Sequence, residues 1–133
     1  MLDWGKVNPA LLRKAFKADV EAFLQSSPYR WEVRYGFRSL EEQAALYKTY
    51  QAGGPRAAPA GRSAHNFGLA VDVVLDGSDQ AGTQADWDTS HPGWTWLTVE
   101  CKRHPRLHSG ASYADYGHLE AVDWIAQSKH PDV

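Results

Sequence analysis

An aspartate set inside an otherwise apolar run constrains this chain more than any other feature. Asp72 interrupts Leu69, Ala70, Val71, Val73, Val74 and Leu75, a run that reads as a buried strand. A carboxylate in such a strand needs a cation, a metal or several donors to offset its desolvation. His65 lies seven residues upstream, and an odd spacing puts two side chains on opposite faces of a straight strand. The two share a partner only if the chain bends between them. Gly68 can supply that bend, because glycine adopts the φ > 0 or bulge geometry that Asn66 and Phe67 resist. His65 is therefore expected on a loop, and Asp72 on the strand that follows it.

A third donor is available at His118. Two imidazoles and one carboxylate make a set suited to catalytic zinc, which keeps its fourth position open to water. The single cysteine, Cys101, excludes an internal disulfide and a cysteine-rich zinc site, and it suits a reducing compartment. Spacing alone leaves His65 open as an ordinary loop histidine and His118 as a structural one; Asp72 is harder to dismiss. His91, His104, His108 and His130 sit in Pro/Gly-flanked or terminal segments and read as surface residues, with His108 the reserve ligand.

Zinc lowers the pKa of bound water from ~15.7 toward ~7 and polarises carbonyl oxygens, so hydrolysis of an amide is the expected reaction. A carboxylate must carry the water's proton to the leaving nitrogen. Asp115, three residues before His118, can serve; Glu120, two after it, offers an acceptor that orients an imidazole. Arg38 is the candidate partner for a developing oxyanion or a substrate carboxylate. Gln43 and Ser63 are the candidates for neutral hydrogen bonds to substrate.

The remaining pattern predicts one domain, 1–133, of mixed helix and strand. Asn8 and Pro9 open a helix whose apolar residues recur from Leu11 to Leu24 and stop at Ser26, Ser27 and Pro28. Trp31, Val33, Tyr35 and Phe37 alternate with polar residues as a strand whose aromatic side faces a core. Ser39 and Glu42 form a capping box for a helix ending at Gly53 and Gly54. Residues 53–62 read as a surface loop beside the site, and the polar stretch from Asp76 to Pro92 as another loop. Trp94, Leu97, Thr98 and Cys101 mark a second core-facing helix, with Cys101 buried. A loop or hairpin, a short strand from about Gly117 and a short terminal helix from Trp124 complete the chain.

Six Trp and six Tyr are many for this length; most are expected in the core and some along a groove. A net charge of −2 without basic runs argues against nucleic acid as a partner. No segment reads as a signal peptide or membrane span, so no stable membrane association is expected, and the chain is expected to be made in the cytoplasm as a monomer.

Ser63, His65, Gly68, Ala70 and Asp72 resemble the S-x-H-x-x-G-x-A-x-D motif of the zinc D-alanyl-D-alanine carboxypeptidase and L-alanyl-D-glutamate peptidase family, which includes phage endolysins. Asp115 and His118 resemble its second motif, D-x-x-H, and Gly36, Phe37, Arg38, Ser39 and Gln43 resemble its upstream substrate-binding segment. The resemblance implies an α+β fold of the hedgehog/D,D-peptidase-like kind, with a small antiparallel sheet flanked by helices. It implies zinc on His65, Asp72 and His118, Asp115 as general base, and Arg38, Gln43 and Ser63 near a peptidoglycan stem peptide. A phage-type lysin cutting the L-Ala to D-Glu bond is the reading it favours, held in the host cytoplasm until released to the periplasm and wall. The rivals are a D-alanyl-D-alanine carboxypeptidase and a non-catalytic zinc or wall-binding module on the same fold.

Overall fold

The computed structural model describes residues 2–76, 91–113 and 115–132. Most of the loop expected from Asp76 to Pro92 thus lies outside the described residues. In chain order the elements are β1 (Leu2–Asp3), α1 (Lys14–Gln25), β2 (Trp31–Tyr35), α2 (Leu40–Gln51), β3 (Ala70–Leu75), α3 (Pro92–Arg103), β4 (Leu107–Gly110), β5 (Asp115–Ala121) and α4 (Trp124–Gln127). The strands form one sheet in the order β1-β2-β3-β5-β4. Its pairings are antiparallel except for the two-residue β1, which runs parallel to β2. The fold is α+β, as expected, with a mixed rather than purely antiparallel sheet.

Along β3, Val71, Val73 and Leu75 alternate with Asp72, and they join Trp31 and Val33 of β2 and Leu119 and Ala121 of β5 in the core. Helix α1 adds Phe16, Val20, Phe23 and Leu24 to this core, and α3 adds Trp94, Leu97 and Cys101. Burying each large aliphatic side chain stabilises the fold by about 1.5–3 kcal/mol. This core holds β3 and β5 in the register that sets Asp72 directly opposite His118.

Three expectations are corrected. The helix predicted continuously from Pro9 is broken: Asn8 caps a single 3-10 turn, Pro9–Leu11, and α1 begins only at Lys14. The break is a tertiary effect, since the Arg13 backbone N–H donates to the Gly68 carbonyl at 3.0 Å and its Nε to the Phe67 carbonyl at 3.2 Å. The alternation from Trp31 to Phe37 does not all face inward. The register shifts between Val33 and Tyr35, leaving Tyr35 and Phe37 exposed while Trp31 and Val33 stay buried. The last strand starts at Asp115, two residues before the glycine expected to open it, because pairing with β4 extends it. The capping box at Ser39 and Glu42 is present as predicted, yet α2 buries only Gln43.

Candidate metal centre

His65 is carried by the 3-10 turn Ala64–Phe67, whose first turn is capped by Ser63 Oγ accepting from the His65 N–H at 3.3 Å. Gly68 closes the turn at φ 69°, in the left-handed region that the sequence reserved for glycine. The turn delivers a buried imidazole whose Nδ1 lies 2.7 Å from the Gly36 carbonyl. A carbonyl only accepts, so Nδ1 carries the hydrogen and Nε2 is the atom left to bind a metal. That Nε2 faces Asp72 Oδ2 at 3.3 Å.

His118 reaches the same carboxylate from β5, with Nδ1 3.0 Å from Asp72 Oδ1. Its other nitrogen, Nε2, donates to Glu120 Oε1 at 2.7 Å. Glu120 therefore takes the orienting role, the one its position two residues along the strand from His118 allows. One ligand atom from each of His65, Asp72 and His118 lies within 4.8 Å of the others. Each imidazole is pinned by an acceptor on its far nitrogen, and the two near nitrogens converge on a carboxylate. This donor set fits zinc.

The electrostatics fit a cation at this point. Burial alone would raise the Asp72 pKa, but hydrogen bonds from His118 and His65 overcome it and hold the carboxyl below the usual range. Burial pulls His118 down, while its bonds to Asp72 and Glu120 win and push it up to about 10. In the absence of metal the centre thus holds a proton on His118 that a zinc ion would replace. Removing the Glu120 acceptor by Glu120→Ala is expected to weaken zinc binding by roughly 10–100-fold with the fold intact. A zinc-chelator competition titration checks this; unchanged affinity would deny Glu120 its orienting role.

The other predicted residues all border one cleft of ≈ 670 Å³ that also contains the three ligands. Asp115 stands at the exposed start of β5, its pKa raised by partial burial and by the nearby Asp72 charge. Arg38 is fixed by its backbone N–H donating to the His65 carbonyl at 3.0 Å and by Nη1 donating to Gln43 Oε1 at 3.0 Å. Gln43 is 1% exposed and its Nε2 donates to the Ala58 carbonyl at 2.7 Å, so its amide positions Arg38 and the 53–62 loop. That loop lies beside the site, as expected.

Asn66 is the residue missed from sequence. Its Nδ2 donates to the Arg38 carbonyl at 3.0 Å and its Oδ1 accepts from the Gly61 N–H at 3.1 Å, tying the strand exit to the loop. The available signal was an amide side chain between His65 and Gly68. Tyr35 and Trp124 supply aromatic cleft wall, Trp124 stacking on Phe67 at 6.1 Å. His108 is exposed and outside the ligand cluster, although it pairs in register with Glu120.

Residues 10–105 match the family described as VanY, D-alanyl-D-alanine carboxypeptidase. The chain belongs to this family. Asp115, His118 and Glu120 lie beyond the matched residues, and it is the sheet register that brings them to the first two ligands. As a VanY-family chain it is 34% identical over 102 residues to the peptidoglycan L-alanyl-D-glutamate endopeptidase CwlK of Bacillus subtilis (strain 168). That match takes in 68% of this chain and 59% of CwlK, so the chain spans less than two thirds of its relative. The fold is similar to the Serratia marcescens L-Ala D-Glu endopeptidase ChiX, with TM-score 0.57 and 18% identity over 92% of this chain and 90% of that one. It is also similar to a VanY D,D-pentapeptidase from a VanB-type resistance cassette, solved in complex with Zn(II). There the TM-score is 0.52 and the identity 20%, over 86% of this chain and 73% of the other.

Proposed function

We propose that this VanY-family protein is a zinc peptidase that hydrolyses the L-alanyl-D-glutamate bond of the peptidoglycan stem peptide. The observation that carries the reading is the convergence of His65 Nε2, His118 Nδ1 and Asp72 inside a cleft that Asp115 and Arg38 also line. Zinc held by these three residues supplies Lewis acidity, acidifying water and polarising a carbonyl oxygen. Asp115 takes the proton from the attacking water and returns it to the leaving nitrogen; its raised pKa favours the second half of that exchange. Arg38, held in place by Gln43, offers its remaining N–H groups to the carbonyl oxygen as negative charge develops. His65 and His118 keep their orientations because Gly36 and Glu120 occupy the nitrogens that face away from the metal.

The choice of bond is supported by the identity to CwlK. The family's own description favours a second reading, removal of a terminal D-alanine, for which Arg38 would meet the substrate's terminal carboxylate. A lytic, phage-type role, with release from the host cytoplasm to the wall, belongs to the first reading.

Mass spectrometry of purified peptidoglycan digested by zinc-loaded protein, beside a chelated control, separates these. Glycan-linked L-alanine ends and released peptides starting at D-glutamate are the expected products. Release of D-alanine alone would establish the carboxypeptidase, and no metal-dependent product from any wall would leave a binding module. Asp115→Asn is expected to slow hydrolysis by about 10²–10⁴-fold while zinc is retained, the usual worth of a general acid–base group. Full activity in that variant would assign the proton transfer elsewhere.

A further inference from the structure

Arginines outside the cleft are used within the chain: Arg13 donates to the Phe67 carbonyl, Arg34 to Glu32, Arg103 to Glu100, and Arg106 in two bonds to Asp19. Arg38, inside it, is bonded to Gln43. Arg56 and Arg62 have no such partner among the described residues, and both line the cleft. Two of the carboxylates across the cleft do not neutralise them, because Asp72 is engaged by both imidazoles and Glu120 by His118.

The loop that carries the pair is built to hold it. Gln43 Nε2 donates to the Ala58 carbonyl at 2.7 Å, Asn66 Oδ1 accepts from the Gly61 N–H at 3.1 Å, and the Arg62 N–H closes a turn onto the Pro59 carbonyl at 3.0 Å. The first two anchors come from buried amides that also bond Arg38, so all three guanidinium-bearing segments share one support. Two guanidinium groups with no partner among the described residues, carried by a loop whose backbone is anchored beside a concave site, are suited to planar anions, above all carboxylates.

We propose that Arg56 and Arg62 form a carboxylate subsite that selects stem peptides whose glutamyl and diamino-acid carboxylates are free over those in which they are amidated. The inference rests on the peptidase reading, and it adds the charge state of the substrate to it. A carboxamide presents the same shape but no charge, and it brings N–H donors toward groups that only donate. The two arginines thus attract the acid, whereas the amide offers them one neutral carbonyl oxygen and N–H groups they cannot pair.

The test is calorimetric titration of zinc-loaded Asp115→Asn protein with synthetic L-Ala-γ-D-Glu-diaminopimelate and with its carboxamide counterpart. The acid is expected to bind about tenfold more tightly, the scale of one charge-assisted bond. Adding Arg56→Gln and Arg62→Gln, both at exposed positions, is expected to bring the ratio to within about twofold by weakening only the acid. Equal affinities before that change, a preference that survives it, or no binding of either peptide would overturn the subsite. A preference that disappears with the arginines, in a protein whose unsubstituted form cuts no wall peptide, would overturn the peptidase reading alone. Wall cleavage without the preference would overturn this inference alone.

Discussion

Asp72→Asn is expected to abolish zinc retention and reduce wall hydrolysis to the level of the chelated protein. The substitution keeps the shape of the side chain and removes the charge that both imidazoles face, at 3.0 Å and 3.3 Å. Asparagine offers one neutral oxygen where two charged ones stood, and two histidines alone do not hold zinc against competing water. The same charge helps push His118 from 6.5 up to about 10, so its proton is bound less tightly in the variant. That gives the parent a pH signature. A pKa raised on folding contributes stability that is complete below 6.5 and fades as pH rises through about 10, so the metal-free parent loses it on the alkaline side. Zinc must displace the same proton, so its affinity falls as pH drops below about 10. Metal analysis after gel filtration and zinc titrations across pH are the measurements. Stoichiometric zinc with activity in Asp72→Asn would remove Asp72 from the ligand set.

Gly117→Ala is expected to cost about 3 kcal/mol or more, roughly a 10 °C fall in Tm, and to weaken zinc binding with it. A Cβ on Gly117 would clash with the Val73 carbonyl oxygen, which is backbone and cannot swing aside. Relief requires β5 to move away from β3, and the next residue on β5 is His118, paired with Asp72. Stability and metal affinity should therefore fall together, read by thermal unfolding with and without zinc. An unchanged Tm would show that the two strands are not packed this closely.

Much of the centre could be read from residues in order. Asp72 in its apolar run demanded a counter-charge because burial of a lone carboxylate is costly, and the structure surrounds it with two imidazoles. Gly68 was legible as the bend because glycine adopts φ 69° without strain; the Leu11 backbone oxygen that also leaves no room for a Cβ there is a tertiary contact. The capping box opening α2 is equally local: Ser39 and Glu42 satisfy each other's backbone within a single turn.

Features that depend on distant partners could not be read so. The apolar period of residues 8–25 looks continuous in sequence, and the break comes from Gly68 and Phe67, more than fifty residues away. Strand β4, Leu107–Gly110, has no alternation to announce it and exists by pairing with β5. Gln43 and Ser63 both line the cleft, but that Gln43 spends its amide on Arg38 and Ala58 is a matter of three segments meeting.

The need of Asp72 for a counter-charge, the bend at Gly68 and the cap of α2 were thus set by residue chemistry and local geometry. The pairing that brings His118 to Asp72, the assignment of Glu120 to orient His118, and the loop that aims Arg56 and Arg62 into the cleft were set by the fold. Side-chain type and spacing determine which groups are able to bind or titrate, because those are properties of a few neighbouring atoms. Which of them meet depends on sheet register and core packing, whose free energies are summed over the whole chain.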